Sequence, residues 1–210
     1  MAMFREHIGF GAIVAAVLVV FLYAYAILTD WVLLSILFLV AVLGSFLPDV
    51  DSDSGLPFHL VFGTASVAVG GAALLIMLQE SDDWRVIAGV SMGVLLFTWI
   101  VVGGVIKRFT KHRGIFHSIP AAAIAGLGTY LIAEGRALPF VPALALGAAM
   151  GIGYIAHLVL DELHSGITLD GIPFNPKSSL GSALKPFSSS AGVNIATYSL
   201  LGFLSYTAWY

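Results

Sequence analysis

Seven runs of about twenty apolar residues, the length that crosses a bilayer core as a helix, take up most of this chain. They are Ile8–Leu28, Trp31–Leu47, Pro57–Leu78, Val86–Ile106, Ile115–Ala133, Leu138–Leu160 and Ala191–Tyr210. Inside a bilayer every backbone N–H and C=O needs a partner within the protein, which leaves helices and closed barrels as the spanning structures. Runs this long and this continuously apolar point to helices. The expected fold is all-α: a polytopic helical membrane protein, with residues 1–210 forming a single transmembrane domain. Pro120 and His117 interrupt the start of the fifth run, so six spans is the alternative count. Composition agrees, since 59% of the residues are hydrophobic and only 10% are charged, against about 25% charged in a soluble domain. Gly70-Gly71 and the small residues of Gly147–Gly153 would let such helices pack closely.

Ile8–Leu28 is longer than the 7–15 residues of a signal-peptide core. Ala24-Tyr25-Ala26 is therefore read as part of an uncleaved first helix. Orientation follows from Lys and Arg, which favour the cytoplasmic side. With the N-terminus cytoplasmic and the C-terminus outside, Arg5, Lys107, Arg108, Lys111, Arg113, Lys177 and Lys185 fall inside, and only Arg85 and Arg136 fall outside. The connections on the outer side are short. The longest inner one, residues 161–190, contains Pro173, Pro176 and Pro186, which argue against a continuous helix; it is expected to be a long cytoplasmic loop closing the site. A net charge of −3 lacks the basic footprint of a nucleic-acid binder, so nucleic acid is not expected as a partner. The chain has no cysteine, which excludes disulfides, thiolate nucleophiles and Cys-ligated zinc.

That topology places the unusual polar residues on one side of the membrane. His7 stands just ahead of the first run. Leu47-Pro48-Asp49-Val50-Asp51-Ser52-Asp53 follows the second, and alternate carboxylates of an extended chain project the same way. Lys111-His112-Arg113-Gly114-Ile115-Phe116-His117 leads into the fifth, where a bend at Gly114 would let both histidines reach one site. His157-Leu-Val-Leu-Asp161-Glu-Leu-His164 ends the sixth. Positions i, i+4 and i+7 of a helix share a face, so His157, Asp161 and His164 would converge. His59, early in the third run, would cap that helix or support the ligands from behind.

Ionisable groups at membrane depth are costly and usually functional. Imidazole with carboxylate suits zinc, manganese or iron. The candidate ligands are His7, Asp49, Asp51, His112, His117, His157, Asp161 and His164, more than the three or four protein ligands of one zinc. A divalent metal centre is expected, with two ions about 3.5–4 Å apart clamping the attacking and leaving oxygens of a displacement. Asp51, Arg113 and Lys185 are the residues expected to serve the chemistry, the two cations by offsetting charge that develops on a phosphoryl group.

Together these motifs resemble the YdjM-like, LexA-regulated, membrane-bound metal-dependent hydrolases. The resemblance is carried by His7, Leu47-Pro48-Asp49-Val50-Asp51, His112-Arg113-Gly114 with His117-Ser118, and His157 with Leu160-Asp161, and it extends from Met1 to about Lys185. Lys177-Ser-Ser-Leu-Gly-Ser-Ala-Leu-Lys185 looks like a variant of a stretch found in some members. This chain departs from many relatives in carrying His164 and a longer polar tail after Asp161. Through His157-x-x-x-Asp161 it is also distantly similar to zinc-dependent phospholipases C.

The resemblance implies a hydrolase of the inner membrane. Its substrate would be a lipid, lipid phosphate or other membrane-associated phosphoester reached at the cytoplasmic interface. A divalent-metal transporter or sensor would use the same ligands, but would be expected to hold them near the bilayer midplane. A ceramidase-like amide or ester hydrolase shares the span count, yet its closing His-x-x-x-His is absent here.

Overall fold

The computed structural model describes residues 4–51, 56–104, 116–166, 184–188 and 190–210. Every apolar run has a helical counterpart. These are α1 (Phe4–Ala24), α2 (Trp31–Gly44), α3 (Leu56–Glu80), α4 (Trp84–Leu96), α5 (Ile119–Gly135), α6 (Phe140–Gly166) and α7 (Ala191–Trp209). A 3₁₀ turn, Leu47–Asp51, follows α2, and α4 runs into a π-helical turn, Phe97–Val102. Among the described residues, four segments are long and apolar enough to cross a membrane: Arg5–Ala24, Phe62–Glu80, Trp84–Val102 and Phe140–His164; Trp31–Gly44 and Ile119–Gly135 are shorter apolar helices. Their outward faces carry residues such as Ile13, Val17, Val20, Leu75, Ile100 and Ile132, each at least 60% exposed. A monomeric soluble protein rarely shows contiguous apolar surface on that scale. The chain is a polytopic helical membrane protein.

Helix starts are set by the side chains the sequence places there. Asp30 Oδ1 accepts from the Leu33 amide at 2.7 Å to cap α2, and Asp83 Oδ1 accepts from the Arg85 amide at 2.9 Å to cap α4. Ser118 and Ser190 do the same for α5 and α7 through the amides of Ala121 and Val193. Each cap satisfies a donor that the first turn of a helix leaves open.

Several boundaries shift by a few residues from the expected ones, among them three in α1 and α6. First, α1 begins at Phe4, so His7 belongs to its opening turns instead of preceding it. Second, α1 ends at Ala24, because Ala26 takes a positive φ of 53° and the amides of Ile27 and Leu28 both return to the Leu22 carbonyl. Third, α6 continues to Gly166, so its last turns take up the first residues of the 161–190 stretch expected as loop, and Asp161 and His164 lie on helix as their spacing requires.

The helices fall into two compact units: Met1–Pro48 with Arg113–Tyr210, and Asp49–His112. In the first unit α6 packs against α5, α2 and α1, while α1 also packs on α2 and α7 on α5. Its core is made of Ala15, Leu22, Leu34, Leu37, Ala41, Tyr130, Ala143, Leu146 and Ala149. The crossing of α2 and α6 is close enough to require glycine on both sides. A Cβ at Gly153 would run into the Ala41 carbonyl, and one at Gly44 would meet the Met150 carbonyl and the Tyr154 amide. Such close approach is how membrane helices gain dispersion energy without help from the hydrophobic effect. The second unit is the α3–α4 hairpin, in which the π-helical turn packs back on α3 and Trp99 lies against Gly63.

Candidate metal centre

Within the first unit, α1 and α5 begin, and α2 and α6 end, around one group of buried polar side chains. Helical periodicity supplies two of them, because His157 and Asp161 sit four residues apart on one face of α6. The opening of α1 adds His7, and the turn leading into α5 adds His117. All four are buried: His117 is 0% exposed, His157 1%, and His7 and Asp161 2% each.

Asp161 is the hub. Its Oδ1 lies 3.5 Å from His7 Nε2, and its Oδ2 lies 3.7 Å from His117 Nε2 and 3.9 Å from His157 Nε2. The His7 and His157 rings stack with centroids 3.8 Å apart and planes 15° from parallel, and His117 meets His157 edge-on at 5.4 Å. His157 Nδ1 lies 2.9 Å from the Ser45 carbonyl oxygen. A carbonyl only accepts, so Nδ1 carries the proton and Nε2 presents its lone pair toward Asp161. Fixing a ligand's tautomer through its other ring nitrogen is a recurrent arrangement at metal-binding histidines. His7 Nδ1 has no hydrogen-bond partner among the described residues.

These residues fit a metal ion. Separations of 3.5–3.9 Å exceed the 2.7–3.2 Å of a good N–H···O hydrogen bond. They approach the edge of a tetrahedron built on metal–ligand bonds of 2.0–2.2 Å, about 3.3–3.6 Å. His117, His157 and Asp161 each offer a donor atom, all three within 4.8 Å of one another. Neutral imidazole with one carboxylate is a donor set for zinc, manganese or iron. The buried His/Asp cluster could therefore hold a metal ion.

The other expected site residues are placed as follows. His164 is not drawn into the group. Its Nδ1 lies 3.0 Å from the Leu160 carbonyl, and its Nε2 is 3.8 Å from Glu6 Oε2. Asp49 and Asp51 are on the 3₁₀ turn after α2, Asp49 half-buried and the side chain of Asp51 outside the described residues. His112 and Arg113 also lie outside the described residues. Lys185 is half-buried, and its backbone pairs with Ser118 in an isolated bridge, with the Ile119 amide donating to the Lys185 carbonyl at 3.3 Å. His59 is exposed on α3, its ring 5.6 Å from that of Trp99.

Two contributors escaped the sequence reading. Ser45 acts through its backbone carbonyl, which any residue would provide. Tyr154, whose hydroxyl bonds the Phe116 carbonyl, carried a signal: a lone hydroxyl three residues before His157 on the same helical stripe.

A family model described as the YdjM inner membrane protein matches residues 1–208. No curated protein and no solved structure matches the chain. The match spans α1 through α7 and every residue of the buried cluster, and the chain belongs to the YdjM inner membrane protein family.

Proposed function

We propose that this protein is a membrane-embedded, metal-dependent hydrolase acting at the cytoplasmic interface on a phosphoester of a lipid or other membrane-associated substrate. The observation that carries the reading is the Asp161 hub: one buried carboxylate facing three buried imidazoles at 3.5–3.9 Å. Leaving a carboxylate buried without a cation is expensive, and retaining one among histidines is more readily understood as a ligand set than as packing. His117, His157 and Asp161 would hold one divalent ion, zinc, manganese or iron. His7, which faces Asp161 Oδ1, would be available to a second ion. A divalent ion bound there would supply Lewis acidity and lower the pKa of water toward neutrality.

The chain's own residues do the rest. The Ser45 carbonyl keeps His157 in the tautomer that faces Asp161. Lys185, tied by its backbone beside Ser118, and Arg113, four residues ahead of His117 in the sequence, offset negative charge on a phosphoryl group. The cytoplasmic placement is supported by the seven Lys and Arg that the proposed topology puts on that side.

The test is hydrolysis of a phospholipid and phosphoester panel by purified protein in nanodiscs loaded with zinc or manganese. Turnover that is abolished by chelator and by Asp161→Ala supports the proposal. Metal-loaded protein that cleaves none of the panel but carries metal ions across a proteoliposome membrane would replace it with transport.

A further inference from the structure

Of the four buried groups at the centre, His117 alone is not held by a helix. His7 rides on α1, and His157 and Asp161 ride on α6, whereas His117 lies in the short turn that precedes α5. A ligand on a turn keeps its geometry only if the turn itself is tied down. The Tyr154 hydroxyl donates to the carbonyl of Phe116, the residue immediately before His117, at 2.5 Å across 38 positions of sequence.

Tyr154 is itself rigidly placed. It is 1% exposed and packs in a cluster with Ala122 of α5 and Leu158 of α6. Its amide lies at the close α2–α6 crossing, where a Cβ on Gly44 would come within 3.0 Å of it. Along α6, Tyr154, His157 and Asp161 fall at i, i+3 and i+7, one stripe of the helix. A phenol buried in an apolar bundle must spend its hydroxyl on some partner. Here that partner is the peptide group leading into a candidate ligand, so the helix that carries two members of the site also fixes the third.

We infer that Tyr154 is a positioning residue, which sets His117 on the metal centre and raises metal affinity by acting through it. The inference rests on the metal-centre reading above. It goes beyond that reading by assigning a role to a residue outside the donor set.

Tyr154→Phe removes one oxygen and keeps the ring, so the helix packing is retained. In full-length protein in nanodiscs, chelator competition should show zinc affinity reduced about 10–100-fold, as is typical when a ligand loses its outer support. In a His117→Ala background the same substitution should cost nothing further, since the residue it positions is gone. Equal losses in both backgrounds would mean that Tyr154 acts on overall structure, and would overturn the inference. A second readout needs no metal. In chelator, amide hydrogen exchange across Phe116–Ile119 should accelerate in Tyr154→Phe while α1 and α6 stay unchanged. Unchanged exchange there removes the tie itself. Wild-type protein that takes up no zinc removes the proposed function, and the affinity role with it.

Discussion

Asp161→Asn separates what the carboxylate does for metal from what it does for the fold. The substitution keeps shape and helix position and deletes one negative charge. That charge is 2% exposed, and its two oxygens face His7, His117 and His157 at 3.5, 3.7 and 3.9 Å. Without metal, burying an ionised carboxylate costs several kcal/mol even after relaxation, so asparagine should leave the metal-free protein at least as stable as wild type. With metal the sign reverses. Asp161 is the only anionic donor in the trio with His117 and His157, and outer supports alone change affinity 10–100-fold, so losing it should cost about 100-fold or more.

At an ion concentration 100 times the wild-type Kd, binding stabilises wild type by about 2.7 kcal/mol, whereas a variant 100-fold weaker gains RT ln 2, about 0.4 kcal/mol. The gap of about 2.3 kcal/mol corresponds to roughly 5–9 °C in Tm for a chain of this size. Thermal unfolding in nanodiscs, followed by tryptophan fluorescence with chelator and with zinc, reads both effects. The expected result is a zinc-dependent rise in wild type that is absent from Asp161→Asn, with the variant matching or exceeding wild type in chelator. A variant that responds to zinc like wild type, or collapses in chelator, would show that Asp161 anchors the histidines structurally and would refute the reasoning.

Three further outcomes follow from the same geometry. His164→Ala should leave zinc stoichiometry unchanged, because His164 is turned toward the Leu160 carbonyl and Glu6; elemental analysis of the purified variant checks this. Gly153→Val should force α6 away from the Ala41 carbonyl and destabilise the bundle by about 1–3 kcal/mol. It should also weaken zinc binding, since the end of α2 presents the Ser45 carbonyl to His157; an SDS-unfolding titration run beside zinc competition reads both. Lys185→Ala should retain the metal yet lower phosphoester turnover by about 10²-fold, the cost of removing one charge-stabilising group, in a steady-state assay on the best substrate of the panel.

Much of the architecture was legible because hydropathy reports on the membrane directly: all seven apolar runs became helices near their expected bounds. What hydropathy does not report is where a helix stops. Asp161–Gly166 continues α6 past its apolar run because polar residues propagate a helix readily, and α1 closes through a positive φ at Ala26, where no glycine announces the turn. Within the site, the i, i+4 spacing correctly paired His157 with Asp161. The i+7 step placed His164 on the same face, but one turn further along the axis its ring bonds back to Leu160. In the sequence only the side of the membrane groups His7 and His117 with that pair. Their approach to Asp161 depends on helix packing, through glycine contacts that carry no chemical signature of a site. Ser45 acts through its backbone carbonyl, which sequence patterns do not reveal, and the partner of the Tyr154 hydroxyl is likewise a carbonyl, that of Phe116.

The X-ray absorption spectrum of the zinc-loaded protein tests the central claim most directly. Bound zinc should show a nitrogen/oxygen shell at about 2.0–2.2 Å and the multiple-scattering pattern of at least two imidazoles, a pattern that weakens in His117→Ala and His157→Ala. Protein that retains no zinc, or zinc whose shell contains no imidazole, would contradict it.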